Sequence, residues 1–462
     1  MIAKAIEERR PEVNETEPEI LAHHLTEARQ IEAALPKWQK AGDLAVRRLA
    51  FAEAIGHLRK GLDLIAQLPP SRERDVHELD LRSLLGTATL AIKGWAAQEV
   101  TRILEPALSL ALSLARNEAL LPIIWGLYWN VMSPGRAAES IKWAREMVRA
   151  AEATSGPDLA ITAQVLMSAT YYWTGEYISC LKHRAEVERL YDPVKHHHLA
   201  RVLNEDPKTL AGCYAATVTW ILGYPDRAAR ICDNTNAHAR LRAHPFDQGF
   251  ALTEGSEVYL LRGEPDQFRR LAEECDRIGL ENHLPVLRGF MAATYAGIAD
   301  IASGRFAEGI PALRSGIAFW EGADGHLAIP WYKTMLAIGM ASAGDMDAGL
   351  TLVEEAIEQI ERPGWGERLY YAEALRVKGW ILATKGDAEG ARAYYLASMR
   401  SAGKQQAKSW ELRTANSLAR LLQKEGEDQQ ARKLLAPIYN WFTEGFDTRD
   451  LKDAKALLED LG

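Results

Sequence analysis

Histidine triplets, cysteines, glycine-flanked serines and paired carboxylates are the places where this chain would do chemistry, and spacing decides each case. His196-His197-His198 is the densest set of metal-ligating groups. Three successive side chains on regular backbone diverge, and no HExxH-type spacing supports them, so they read as a solvated loop. His23-His24 reads as a structural pair. The four cysteines, Cys180, Cys213, Cys232 and Cys275, stand 33, 19 and 43 residues apart. No CxxC pair for zinc or redox exchange results, and free buried thiols are expected. Gly255-Ser256 lacks the GxSxG frame of a nucleophile elbow. Glu273-Glu274 and Glu354-Glu355 are neighbours on helical periodicity, so each pair belongs to a solvent face. No GxxxxGK[ST] phosphate loop is present. The reading is of no catalytic, cofactor or metal site, and no enzyme.

Recognition is the chemistry better supported. Trp125, Trp129, Tyr172, Trp220, Phe250, Glu257, Trp331, Glu373, Arg376, Trp380, Arg413, Asn416 and Arg420 fall at about 3, 6, 10 and 13 residues before recurring glycines, the stripe of one helix face. Five of the chain's 13 tryptophans are among them. Trp, Tyr and Arg are the residue types that dominate binding hot spots. Packing of these rings between neighbouring helices is the competing reading, and Glu373 with Arg376 serves equally as an i,i+3 helix pair. Arg413, Asn416 and Arg420 at one end of the stripe suit an acidic or carboxylate-bearing segment.

The elements that position the stripe repeat. Gly135, Gly175, Gly223, Gly263, Gly304, Gly344, Gly386 and Gly426 follow one another at intervals of 40, 48, 40, 41, 40, 42 and 40, and Gly94 extends the series backwards by 41. Glycine ends one helix and a polar or acidic residue opens the next, as at Gly175-Glu176, Gly344-Asp345 and Gly426-Glu427. Small residues stand seven before the glycine (Ser168, Ala216, Ser256, Gly297, Ala337, Gly379, Ala419) and five after it (Ser140, Cys180, Ala228, Gly309, Gly349, Ala391, Ala431). Tyr128 and Phe268 are the exceptions. Small residues at both places let paired helices approach closely. The spacing predicts an all-α, TPR-like helical-repeat superhelix (an α-solenoid) with units of about 41 residues. HEAT repeats share the period, but the small residues favour TPR. Residues 1–50 read as two or three helices of a lead-in or cap with Pro18 near a helix start, 51–445 as the array, and 446–462 as a capping helix. Tyr191 to Pro207 reads as a long inter-repeat loop, and Pro106 predicts a kink or break.

The bulk properties bound the partners. The chain has 462 residues, 47% of them apolar, with a net charge of −8, and no dense basic run. That disfavours disorder and nucleic-acid binding. The opening residues, Met1 to Arg10, are charged and lack the apolar core of a signal peptide. The longest greasy stretch, Leu120 to Met132, has 13 residues, too few to span a bilayer. A cytoplasmic chain with no membrane contact is expected.

Several stretches carry a family likeness. Ser409-Trp-Glu-Leu-Arg-Thr-Ala-Asn-Ser-Leu-Ala-Arg-Leu-Leu422 and Ala436-Pro-Ile-Tyr-Asn-Trp-Phe-Thr-Glu-Gly-Phe-Asp-Thr-Arg-Asp-Leu-Lys-Asp-Ala-Lys-Ala-Leu-Leu458 form the clearest part. Pro18 to His24, Glu53 to Leu58, Leu222 to Asp226, His244 to Phe246 and Glu373 to Gly379 agree with it. Together they resemble the C-terminal TPR region of bacterial proteins that join a class III adenylate cyclase domain, an AAA-type ATPase domain and TPR-like repeats. The resemblance implies that the family's chemistry lies upstream, in cyclase aspartates and an ATPase phosphate loop that this chain lacks. It implies a signalling scaffold or sensor with a protein or peptide partner, a cyclase or ATPase protein among the candidates. The alternative is a sensor that binds a small-molecule effector in an aromatic-lined groove. Enzymatic turnover and a part in transcriptional control rank below both.

Overall fold

Glycine places the bends. In the computed structural model, which describes residues 2–462 apart from Pro11, Leu49 and Asn204, all nine turn glycines hold a left-handed φ between 78° and 104°. An L side chain is disfavoured there by its Cβ, so glycine ends each first helix and lets the chain reverse. Met1, and Asn204 inside the loop expected at 191–207, lie outside the described residues. Among those residues the chain is helical and contains no strand, an all-α helical-repeat solenoid. It forms two compact units: residues 1–134, 142–159 and 323–325 make the first, and 135–141, 160–322 and 326–462 the second.

In the first unit, helices Pro18–Glu27, Ile31–Arg47, Phe51–Ile65, Arg72–Lys93, Gln98–Ser113 and Leu120–Met132 follow one another. Two short helices, Ile2–Arg9 and Val13–Thr16, precede them, so the described residues of 2–50 hold four helices where two or three were expected. Pro18 occupies the first helical turn, where its missing N–H has no partner to lose. Of the kink or break expected at Pro106, the break does not occur: Pro106 sits inside one helix, Gln98–Ser113. Proline forfeits one intrahelical bond, and Ile103, Leu104, Ala107 and Ala111 are buried on both sides of it, which holds the two halves together.

In the second unit the pairing rule of the sequence appears as contacts. A Cβ on Gly297 would stand 2.6 Å from Leu313 N and 2.9 Å from Gly309 O, and one on Gly349 would stand 2.9 Å from Ala337 O. Ser168 Oγ donates to Cys180 O at 3.1 Å. The residues seven before and five after the glycine therefore face each other across each pair, and a larger side chain there would force the helices apart. Phe268, the exception, is buried with its ring edge-on to Tyr295 at 5.8 Å. The first helix of its own unit is interrupted between Pro245–Leu252 and Glu257–Arg262.

Later pairs of the second unit return to the turns of earlier ones. Arg368 N donates to Trp173 O at 2.7 Å, Tyr177 Oη to Leu369 O at 2.7 Å, and Ser409 Oγ to Trp220 O at 2.5 Å. The Glu444 carboxylate accepts from Asp226 N and Arg227 N at 3.0 and 2.9 Å, capping the helix Pro225–Arg242. The anion suits the positive end of that helix. These partners lie 189 to 218 residues apart, about five units. The last helix, Arg449–Asp460, sets Leu451, Ala454 and Leu457 into a core with Leu418, Leu422 and Leu435. Each buried leucine contributes roughly 1.5–3 kcal/mol.

Candidate functional site

Thr253 interrupts the helix Pro245–Leu252 with φ −107° and ψ −88°, and its hydroxyl returns to Gly249 O at 2.7 Å. A single 3-10 turn, Glu254–Ser256, follows before helix Glu257–Arg262 resumes. Gly255 makes this possible: a Cβ there would stand 2.4 Å from Cys213 Sγ, so only glycine lets the backbone come so close. The interruption sets Glu254 and Glu257 three residues apart in the interior of the unit.

Glu257 is buried and fully used. Trp331 Nε1 donates to its Oε1 and the Tyr370 hydroxyl to its Oε2. Trp331 stacks on Tyr370 at 4.1 Å, and the Tyr370 hydroxyl lies 3.5 Å from that of Tyr172. Burial pushes the Glu257 carboxyl up to about 7, against the pull of the two hydrogen bonds. Glu254 has no such company. Its Oε1 is buried without a hydrogen-bond partner, and burial together with the charges of Glu257 and Glu367 pushes it to about 8. Glu367, buried with Ala328 N as a donor at 3.3 Å, is pushed by burial to about 8. Glu205 completes the row. It is 7% exposed, its Oε2 is unpartnered, and burial plus the charges of Asp247 and Glu254 raise its carboxyl well above the glutamate range.

Paired rings lie in the same unit. Tyr172 stacks on Tyr214 at 4.2 Å, Tyr295 and Tyr332 bring their hydroxyls to 3.2 Å, and Phe290 stacks on Trp320 at 4.7 Å. The phenols of Tyr172, Tyr295 and Tyr332 all feel the Glu254 charge. Among the described residues, no group of three or more His, Cys, Asp or Glu converges closely enough to hold a metal ion.

A second polar network begins in the 191–207 segment, which contains a short helix, Leu199–Leu203, where only loop was expected. Tyr191 Oη donates to Asp206 Oδ2 at 2.5 Å, and His238 Nε2 lies 3.0 Å from Asp206 Oδ1. Asp206 Oδ1 also caps helix Pro207–Ile221 through Lys208 N and Thr209 N. Of the three histidines, His196 is buried with Nδ1 accepting from Asp192 N at 2.8 Å, His197 is exposed and His198 half-buried.

Nine of the thirteen residues singled out by spacing fall into two groups. Tyr172, Trp220, Phe250, Glu257 and Trp331 are buried in the interior of the second unit. Trp220 and Trp410 meet edge to face at 4.8 Å, with the Arg413 guanidinium over both rings at 4.8 and 5.1 Å. Glu373, Arg376, Arg413 and Asn416 form the second group. Arg376 holds Glu373 at 2.7 Å, Arg413 reaches Asp450 at 2.7 Å and Leu261 O at 2.7 Å, and Asn416 Nδ2 donates to Asp450 O at 3.0 Å. Burial works against the charge on Glu373, yet Arg376 and Arg413 keep its carboxyl below the ordinary range. Arg420 is exposed, 3.9 Å from Asp453. In the structure, the acidic segment that Arg413, Asn416 and Arg420 meet is the chain's own last helix. Trp380 is half-buried on a core that includes Ile381. Trp125 and Trp129 belong to the first unit, where they are buried edge to face at 5.8 Å beside Trp95. Glu205, Glu254 and Glu367 were missed by spacing alone. The available signal was a Thr253-Glu254-Gly255 interruption in the middle of an apolar helix.

No family model matches the chain. It is 22% identical over 382 residues to an uncharacterized protein of Rhizobium meliloti (strain 1021), covering 80% of this chain and 36% of that protein. The chain thus spans about a third of that relative's length. Among solved structures it is similar to a Rap protein complexed with competence and sporulation factor, with a TM-score of 0.55 and 12% identity over 82% of this chain and 99% of that one. It is also similar to the Cut9–Hcn1 hetero-tetramer of the APC/C, at TM-score 0.38 and 12% identity over 95% of each chain. A third is the quorum sensor NprR of B. thuringiensis in its apo form, at TM-score 0.39 and 16% identity over 62% of this chain and 78% of that one. Low identity limits these likenesses to the fold, and the Rap structure supports the helical-repeat assignment.

Proposed function

We propose that the chain is a TPR-like scaffold or sensor that recognises a protein or peptide partner through the inner face of its second unit and performs no turnover of its own. The observation that carries this reading is that distant helix pairs are tied together by aromatic and charged side chains in one interior, as where Tyr172, Glu257, Trp331 and Tyr370 meet, so that many units can present a common face. A solenoid builds one recognition surface from many units in this way. The Rap structure of similar fold was solved with a bound factor, which supports a binding role. The resemblance to the repeat region of cyclase–ATPase proteins supports a place in bacterial cytoplasmic signalling beside such a protein.

We assign half-buried Trp380 and exposed Arg420 to the rim of that face. Affinity capture from native cells with the wild-type chain should retain one protein in stoichiometric amounts. Trp380→Ala combined with Arg420→Glu should lose it while keeping the wild-type helical spectrum. Retention by the double variant would overturn the assignment to this face. Cyclase and ATPase assays on the purified chain should stay at background.

A small-molecule effector is the second reading. It is favoured by one observation, the unpartnered buried carboxyl oxygens of Glu205 and Glu254 among tyrosine rings.

A further inference from the structure

The interior of the second unit holds more buried acid than it holds cations. Glu205, Glu254 and the neighbouring Glu257 and Glu367 are linked by charge, and among the described residues Arg368, beside Glu367, is the cation that acts on the row. Asp247, next to Glu205, accepts from Asp206 N at 2.7 Å and lies 3.1 Å from His244 Nδ1. A buried carboxyl without a partner is costly, and such groups are ordinarily hydrogen-bonded or paired. Glu257 and Glu367 have donors, as described. Glu205 Oε2 and Glu254 Oε1 have none, although Glu205 is 7% exposed. Glu254, for all its unpartnered oxygen, keeps some accessible surface.

The surroundings select the kind of partner these oxygens suit. Among the described residues no three metal-ligating groups converge here, which disfavours a metal ion. Aromatic faces are abundant: Tyr172, Tyr295 and Tyr332 lie within reach of the Glu254 charge, and Phe250 lies edge-on to Tyr214 at 6.3 Å. Two buried carboxyl oxygens without partners, one of them, on Glu254, within reach of tyrosine rings, are a combination that attracts an ammonium or guanidinium group, through ion pairing and cation–π contact together.

We propose that Glu205 and Glu254 form a recognition site for an organic cation, an ammonium or guanidinium group, inside the second unit. The proposal rests on the binding role assigned above and names the chemistry that the bound partner or effector must carry. Entry of the cation converts the protonated Glu254 carboxyl to carboxylate and releases that proton to solvent. The cation comes either from a small amine or from a basic side chain of a partner, and the two sources differ in size and reach.

Titration calorimetry on the full chain separates them. Spermidine, arginine amide, and the tripeptide Gly-Arg-Gly with its citrulline counterpart are titrated at pH 7 and fixed ionic strength, in two buffers of different ionisation enthalpy. At least one cation should bind saturably with proton release, and the citrulline peptide should not. Tighter binding of Gly-Arg-Gly than of arginine amide assigns the site to a partner's side chain, and tighter binding of spermidine assigns it to a free amine. Glu254→Gln and Glu205→Gln, which change charge but hardly volume, should each weaken binding at least tenfold. Glu358→Gln, an exposed acid on helix Met346–Glu361, should bind as the wild type does. No saturable binding by any cation, or equal binding by Glu254→Gln, overturns the proposal. Capture of a protein partner by the inner face would survive that failure, so the two readings fall separately.

Discussion

Trp331 donates its indole N–H to Glu257, 74 residues earlier in the chain, and that bond joins two helix pairs which share no sequence neighbourhood. Tyr370 takes the other oxygen of the same carboxyl. Tyr370→Phe removes one donor from a buried acid and leaves an oxygen unsatisfied. The expected loss is about 1–3 kcal/mol in urea unfolding. Trp331→Ala removes ring, stack and bond together, and should cost about 3–5 kcal/mol. Equal and negligible effects would show that Glu257 ties nothing together.

The carboxyls Glu254, Glu257 and Glu367 hold protons up to about 8, 7 and 8, well above the 4.5 of an ordinary glutamate. Between those values the folded chain binds more protons than the unfolded chain, so stability falls as pH rises. The contribution is complete below about 4.5 and gone above about 8. Calorimetric Tm should therefore decline from pH 5 to pH 9, and Glu254→Gln should make the decline shallower. A steeper decline in the variant would contradict the burial of this acid.

Close helix pairing makes a separate claim. Gly309→Ala would bring a Cβ to 2.8 Å from Gly297 O, and should cost about 1–3 kcal/mol. Gly386→Ala meets nothing within 4 Å but sits at φ 91°, so its loss, about 1–2 kcal/mol, comes from backbone alone. Gly403→Ala, inside helix Ala388–Gln405 with open space around it, should stabilise by roughly 0.5–1 kcal/mol. Chemical denaturation of the three variants checks the order.

Much of this was legible beforehand, because the fold is a repeat and repeats write themselves into spacing. The turn glycines needed only a period, and their facing small residues needed only the register, as Gly297 against Gly309 shows. The site was less legible. Glu257 fell on the stripe, but its donors come from units 74 and 113 residues away, and spacing within one unit cannot say which units meet. Glu205 lies in a segment that breaks the period, and Glu254 in a helix that breaks its own winding, so the rule that found the rest passed over both. Asp450 was invisible as a partner for Arg413 for the same reason: the contact depends on how the last helix folds back.

Arg413 and Arg420 should part company on substitution. Arg413→Glu leaves Asp450 and Glu373 facing a third acid beneath Trp220 and Trp410, and should destabilise by about 3–5 kcal/mol. Arg420→Glu alters an exposed, 3.9 Å contact and should change stability by about 1 kcal/mol or less. Binding of an acidic peptide to the wild type that survives both substitutions would place that peptide elsewhere.

Hydrogen exchange on the purified chain, with and without the captured partner, tests the binding role most directly. The inner-face account predicts protection on bound helices Pro207–Ile221, Ile329–Ser342 and Tyr371–Lys385, together with Glu257–Arg262. Protection confined to the second helices of the pairs, Pro225–Arg242, Pro265–Glu281 and Met346–Glu361, would contradict it.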